Sequence, residues 1–426
     1  MRRLALAVSG LGLLAPGPSL ADDPVLRWNE VALEAVAADH SGPGAPEQRG
    51  PTHASRALAI VHAAIADAVS SIDGSYEPYL ERVQAPKGAS LEAAVAQAGH
   101  DALSALYPSQ QEDFDAALAA DLAPIPARES RDGARVGRFA ARRVLHARHH
   151  DGSEDDPAYV PGELPGEHRE DPLHPGQGFL DPGWGGVAPF VIPRADAFRP
   201  PPPPALSSIE YAQAFEEVKQ LGGVAPSTAR TPEQTEIAIF WAYDGTRGLG
   251  PPPRLYNQIA RTIAEQMGND TVENARLFAL VNLALADAGI ACWEAKYVYR
   301  FWRPVLGIRE ADPGTGPTRA GDDNPLTQGD PGWTPLGAPA SNRSGSDFTP
   351  PFPAYPSGHS TFGAAFFRVL ERFYGTDAIP FTFVSDELDG VTTDSQGNPR
   401  PLAPRSFATL SAAKADRKST RLNSSH

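Results

Sequence analysis

The sequence predicts an all-α protein, a helical bundle of two packed halves with long Pro/Gly-rich loops. Apolar residues recur at helical spacing along most of the chain, and convincing alternating stretches are scarce. Proline and glycine concentrate in two stretches, Asp151–Leu206 and Val305–Ala354, which leaves long helical runs uninterrupted. The 426 residues suffice for a large single domain or two packed halves.

The chain opens Met1-Arg2-Arg3, continues with the apolar run Leu4–Ala15 and reaches Ser19-Leu20-Ala21. This order predicts a secretory signal peptide, residues 1–21, and an exported protein, secreted or periplasmic. The run has about twelve residues against the ~20 that span a bilayer, so it is not read as an anchor. No later stretch reaches that length without charge, so no membrane span is expected. Val25–His40 is amphipathic, and the Gly/Pro loop Ser41–Pro51 separates it from His53–Ile72. There Ala57, Leu58, Val61, Ile65 and Val69 form a core stripe, with His62 read as a core histidine. Leu91–Leu106, Gln110–Leu122 and Ala127–His149 continue the pattern. His146, His149 and His150 read as a solvated helix end rather than a metal site. Asp151–Leu206 then reads as a surface excursion crossing between the halves, so the first half is residues 22–206.

The second half, residues 207–415, starts with Ser207–Leu221. Thr231-Pro232-Glu233-Gln234 is an N-cap with Pro at the first helical position and opens Glu233–Tyr243. Pro253–Met267 follows, then Asn269–Trp302, apolar on nearly every side and therefore central to the core. After the loop Val305–Ala354 come the helices Ser360–Tyr374 and Pro404–Ala415. No internal repeat is apparent.

The formal charge is −15. Such an acidic surface argues against nucleic acid and anionic membrane as partners. An anion site here must be a local basic pocket inside a negative shell. The single cysteine, Cys292, excludes an internal disulfide and reads as a small buried apolar residue.

Two stretches carry chemistry. In Pro350-Pro351-Phe352-Pro353-Ala354-Tyr355-Pro356-Ser357-Gly358-His359, prolines fix the approach to a turn at a helix start. Gly358 lets the backbone come close to an anion at the unpaired N–H groups of the helix. Ser357 adds a donor and His359 a group that exchanges protons near neutral pH. Upstream, Lys296, Arg300 and Arg303 stand at i, i+4 and i+7, sharing one helix face over roughly 10 Å, with Pro304 stopping the helix.

Together these stretches spell Lys-x6-Arg-Pro followed by Pro-Ser-Gly-His. In this the chain resembles the vanadium-dependent haloperoxidases and the related acid phosphatases of the phosphatidic acid phosphatase type 2 superfamily, from about Val25 to Ala415. The resemblance implies that Lys296, Arg303, Ser357 and the Gly358 amide hold the equatorial oxygens of vanadate, with His359 as acid–base group beside the apical oxygen. It implies hydrogen peroxide, a halide and a small organic substrate as partners, and leaves oligomeric state open. Trp293, Pro350 and Phe352 suit either core packing or the lining of a halide pocket. Asp244, in Trp241-Ala242-Tyr243-Asp244-Gly245, suits either turn chemistry or the aspartate that pairs with an arginine of a third motif.

That third motif, Ser-Arg-x5-His, carries the direct vanadium-ligand histidine and is absent here. Asp416–His426 back-translates codon by codon, in one frame, into a widely used short-read sequencing adapter. The gene is therefore expected to be cut after about Ala415, His426 does not fill the role, and the chain is expected to be poorly active. Two rival readings remain: a soluble acid phosphatase on the same scaffold, binding phosphate, and a helical protein that binds phosphate without turnover.

Overall fold

A computed structural model describes residues 23–41, 44–224, 229–244, 248–336, 349–393 and 398–418. The predicted signal peptide lies outside these residues. The first half comprises α1 (Pro24–Asp39), α2 (Gly50–Ile72), α3 (Leu91–Leu106), α4 (Gln111–Leu122) and α5 (Ala127–Ala147). The second comprises α6 (Ile209–Leu221), α7 (Pro232–Phe240), α8 (Pro252–Met267), α9 (Thr271–Tyr299), α10 (Pro304–Arg309), α11 (Gly358–Tyr374) and α12 (Leu410–Lys418). Before α12, β1 (Phe381–Phe383) and β2 (Arg405–Phe407) pair as a two-stranded antiparallel sheet.

The central packing is α2 against α9, with α3 and α5 behind α2 and α11 laid on α9. Capping boxes open the key helices: Asp270 with Glu273 starts α9, and Thr231 with Gln234 starts α7. Gly289, midway along α9, lets α11 and α2 close in, since a Cβ there would meet Phe362 at 3.2 Å and Ser55 Oγ at 3.3 Å. Both α2 and α9 are long and apolar enough to cross a membrane, yet 89% and 72% of their apolar windows are buried inside the fold. They are core helices.

His62 is the core histidine expected. Its Nε2 lies 2.9 Å from Asn29 Nδ2, and burial lowers its pKa to about 3. Asn29 also reaches Asn257, which bonds Asn282, so a polar ladder joins α1, α2, α8 and α9. His146, His149 and His150 are exposed, and among the described residues no cluster of three or more His, Cys, Asp or Glu could hold a metal.

Four expectations need correction. The helix read as Asn269–Trp302 stops at Tyr299, because Arg300 turns left-handed at φ 49. Its carbonyl accepts His168 N at 2.8 Å, and its guanidinium donates to Val160 O at 2.7 Å, contacts no short-range pattern encodes. The stretch Asp151–Leu206 is more than a surface excursion: most of it is exposed or half-buried, but it is anchored by the buried residues His168, Asp171, Asp181 and Trp184. The helix read as Pro404–Ala415 begins only at Leu410, since Arg405–Phe407 pairs as β2 and buries Phe407. Pro304 opens α10 and does not stop α9, which has already ended at Tyr299. Of the tail read as foreign, Asp416–Lys418 continues α12, with Asp416 accepting from Trp241 Nε1 at 2.9 Å, and the rest lies outside the described residues.

Candidate active site

The Pro-rich approach to α11 builds the floor. Lacking N–H groups, its prolines leave carbonyls free to accept from elsewhere. Lys296, on the last turn of α9, is buried and donates from Nζ to Pro353 O at 2.7 Å and Ala354 O at 3.2 Å. Its ammonium also lies 4.9 Å from the Phe352 ring centroid and 5.6 Å from that of Trp293. Arg303 reaches the same segment by another route. The left-handed turn at Arg300 delivers it as the N-cap of α10, where its Nε donates to Phe352 O at 2.6 Å. The shared helix face predicted for Lys296, Arg300 and Arg303 therefore does not exist. Arg300 instead turns away to Val160 and Tyr159.

Burial disfavours both charges. Desolvation lowers Lys296 to about 7, with Arg303 pushing the same way, and lowers Arg303 to about 10 against the pull of Asp244. Among the described residues, no carboxylate lies within ion-pair distance of Lys296. A buried ammonium held by carbonyl dipoles and aromatic faces rather than by a counter-charge favours an incoming anion.

His359 sits in the first turn of α11, buried, with Nε2 2.5 Å from Ala242 O and 3.7 Å from Asp244 Oδ1. A carbonyl only accepts, so this contact needs the proton on Nε2. Ser357 is the N-cap, its Oγ accepting from Ser360 N at 3.2 Å. Trp293 is fully buried, donates to Leu180 O at 3.3 Å and packs 4.7 Å from the Phe352 ring.

These groups enclose a cavity of about 280 Å³. Its wall holds Lys296, Arg303, Gly358 and His359, together with Trp293, Pro350, Phe352 and Asp244. Ser357 is not among the lining residues; its Oγ caps α11. Asp244, read as either a turn residue or the partner of an arginine, lines the cavity with Oδ1 3.7 Å from His359 Nε2, and its charge opposes the lowering of Arg303 by burial.

Sequence reasoning missed the far wall: His40, Arg49, Gly50 and Leu180. Arg49 is tied to Asp181 Oδ1 at 3.0 Å and to Asp156 Oδ2 at 3.1 Å, so the crossover segment is pinned beside the cavity. Leu180 joins that segment to the floor through its N–H to Pro351 O at 2.8 Å. Only the Gly-Pro pair opening α2 hinted at a tight turn there. Cys292 is buried, its thiol raised by desolvation, consistent with an inert packing residue.

The family profile described as the vanadium chloroperoxidase N-terminal domain matches residues 19–177. That of the VCPO second helical-bundle domain matches residues 276–425. Vanadium chloroperoxidase of Curvularia inaequalis is 33% identical, over 89% of this chain and 72% of its own length. Among solved structures, a bacterial vanadium-dependent iodoperoxidase superposes with TM-score 0.71 at 22% identity, covering 95% of this chain and 89% of its own. The holo form of a bacterial vanadium-dependent chloroperoxidase superposes with TM-score 0.64 at 16% identity, covering 92% and 91%.

Proposed function

The chain belongs to the vanadium chloroperoxidase family, and from that premise we propose that it is a vanadate-dependent haloperoxidase, oxidising halide with hydrogen peroxide to hypohalous acid. The observation that carries this reading is the convergence of Lys296, Arg303, the Gly358 end of α11 and His359 on one cavity. That donor set fits a tetrahedral oxyanion: two buried cations, a helix N-terminus and an imidazole. Vanadate, when bound, supplies Lewis acidity that activates peroxide toward halide.

The chain's own residues do the rest. Lys296 and Arg303 hold the anion's charge, and the first turn of α11 orients it. Ser357 Oγ accepts as the cap of α11 and keeps its O–H proton to donate. His359 keeps Nε2–H on Ala242, which leaves Nδ1 as the nitrogen that takes and returns a proton. Trp293 and Phe352 give an apolar wall that excludes water beside the anion, where a weakly hydrated halide fits. Small organic molecules are the acceptors of the oxidised halogen. Export rests on the leader pattern alone.

The test is oxidation of halide by hydrogen peroxide with and without orthovanadate. It is run on this chain and on the product of the source gene read past codon 415, where the resemblance calls for Ser-Arg-x5-His. Vanadate-dependent oxidation that is lost in Lys296→Met and His359→Ala supports the reading. Phosphomonoester hydrolysis without halide oxidation would overturn it in favour of a phosphatase.

A further inference from the structure

The segment that faces His359 is itself gripped from outside the cavity. Phe240–Asp244 carries the chain out of α7, and its anchors come from about 145 residues later in the chain. Ser385 Oγ donates to Phe240 O at 2.7 Å, Asp386 N donates to Tyr243 Oη at 2.8 Å, and Tyr243 N donates to Glu387 Oε1 at 3.2 Å. Glu387 is fully buried, and its other oxygen takes Arg400 Nη1 in a buried ion pair. Tyr243 has φ 42, a left-handed conformation unfavourable for a bulky residue, so it needs such anchors to persist.

One peptide unit links the two sides. The N–H of Tyr243 and the C=O of Ala242 belong to the same rigid plane and point in opposite directions. The N–H meets Glu387 and the C=O meets His359 Nε2. A carboxylate accepting the N–H both fixes the plane and polarises the carbonyl, strengthening it as an acceptor. We propose that Glu387, paired with Arg400, is a positioning residue for His359: through the Ala242–Tyr243 peptide it keeps the imidazole proton on Nε2 and leaves Nδ1 as the basic nitrogen. The proposal rests on the reading of His359 as the acid–base group. The other charged and titratable groups on the same cavity are His40, Arg49, Asp244, Lys296 and Arg303.

The test is a long-range ¹H–¹⁵N spectrum of the full chain labelled with ¹⁵N-histidine, with His359 assigned by its loss in His359→Gln. Wild type shows a single Nε2–H tautomer. In Glu387→Gln, of the same shape but without the charge, the tautomer ratio falls about fivefold, the scale of one weakened hydrogen bond. If that variant does not fold, the double variant Glu387→Gln/Arg400→Gln, which removes both charges together, is measured in its place. An unchanged single tautomer in whichever variant folds overturns the proposal and leaves Glu387 as scaffold. The readout needs no turnover, so a wild-type chain that fails to oxidise halide counts against the proposed function and not against this assignment.

Discussion

Lys296 makes anion binding depend on pH with a predictable sign. Its ammonium is lowered to about 7 chiefly by burial, with Cys292 opposing and Arg303 adding to the shift. A bound dianion favours the charged form, and an opposite charge at close range raises such a group by about 2 units. Affinity is therefore full below pH 7 and declines above it. Between pH 7 and 9 the loss is about 25-fold, or about 2 kcal/mol, with uptake of about 0.8 proton per anion at pH 8. Sulfate is the suitable probe because it stays a dianion across this range. Isothermal titration calorimetry in two buffers of different ionisation enthalpy reads both affinity and proton uptake. Lys296→Met should bind weakly at pH 7 and show no slope from this group. A pH-independent wild type, or the same slope in Lys296→Met, would refute the assignment of the titration to this ammonium.

Arg303→Lys should fold but bind sulfate about tenfold more weakly in the same calorimetry, because an ammonium cannot reproduce the planar fork that reaches Phe352 O. Gly50→Ala should lower stability by about 1–3 kcal/mol in thermal melts, since Gly50 has φ +66 and a Cβ there meets Leu180 Cδ2 at 2.7 Å. It should also shift Trp293 fluorescence, because Leu180 O accepts the indole N–H. His62 is held neutral down to about 3, whereas in the unfolded chain it takes a proton near 6.5. Its contribution to stability is thus complete above pH 6.5 and lost as pH falls toward 3, at about 1.4 kcal/mol per unit. Urea midpoints between pH 4 and 7 should show His62→Gln losing that part of the slope.

Local chemistry determined most of the helices and the anchors of the site. Periodic apolar stripes and caps act within a turn or two, so Leu91–Leu106 lies where its pattern puts it and α1, α2, α8 and α11 begin within three residues of it. Lys296, Gly358 and His359 were legible for the same reason: a basic helix end and a proline-guided helix start are local features. What the tertiary structure decided rests on contacts between residues far apart in sequence. Arg303 reaches the cavity because His168 and Val160 hold Arg300 in a left-handed turn, which nothing around residue 300 announces. Asp244 comes to 3.7 Å from His359 only because the segment after α7 is carried to α11 and gripped by Glu387. The far wall, with Arg49 and Leu180, exists because the proline-rich crossover folds back onto the floor through Pro351 and Trp293. A loop without periodicity carries its instructions in single backbone hydrogen bonds, and those partners are chosen only when the helices have already brought them together.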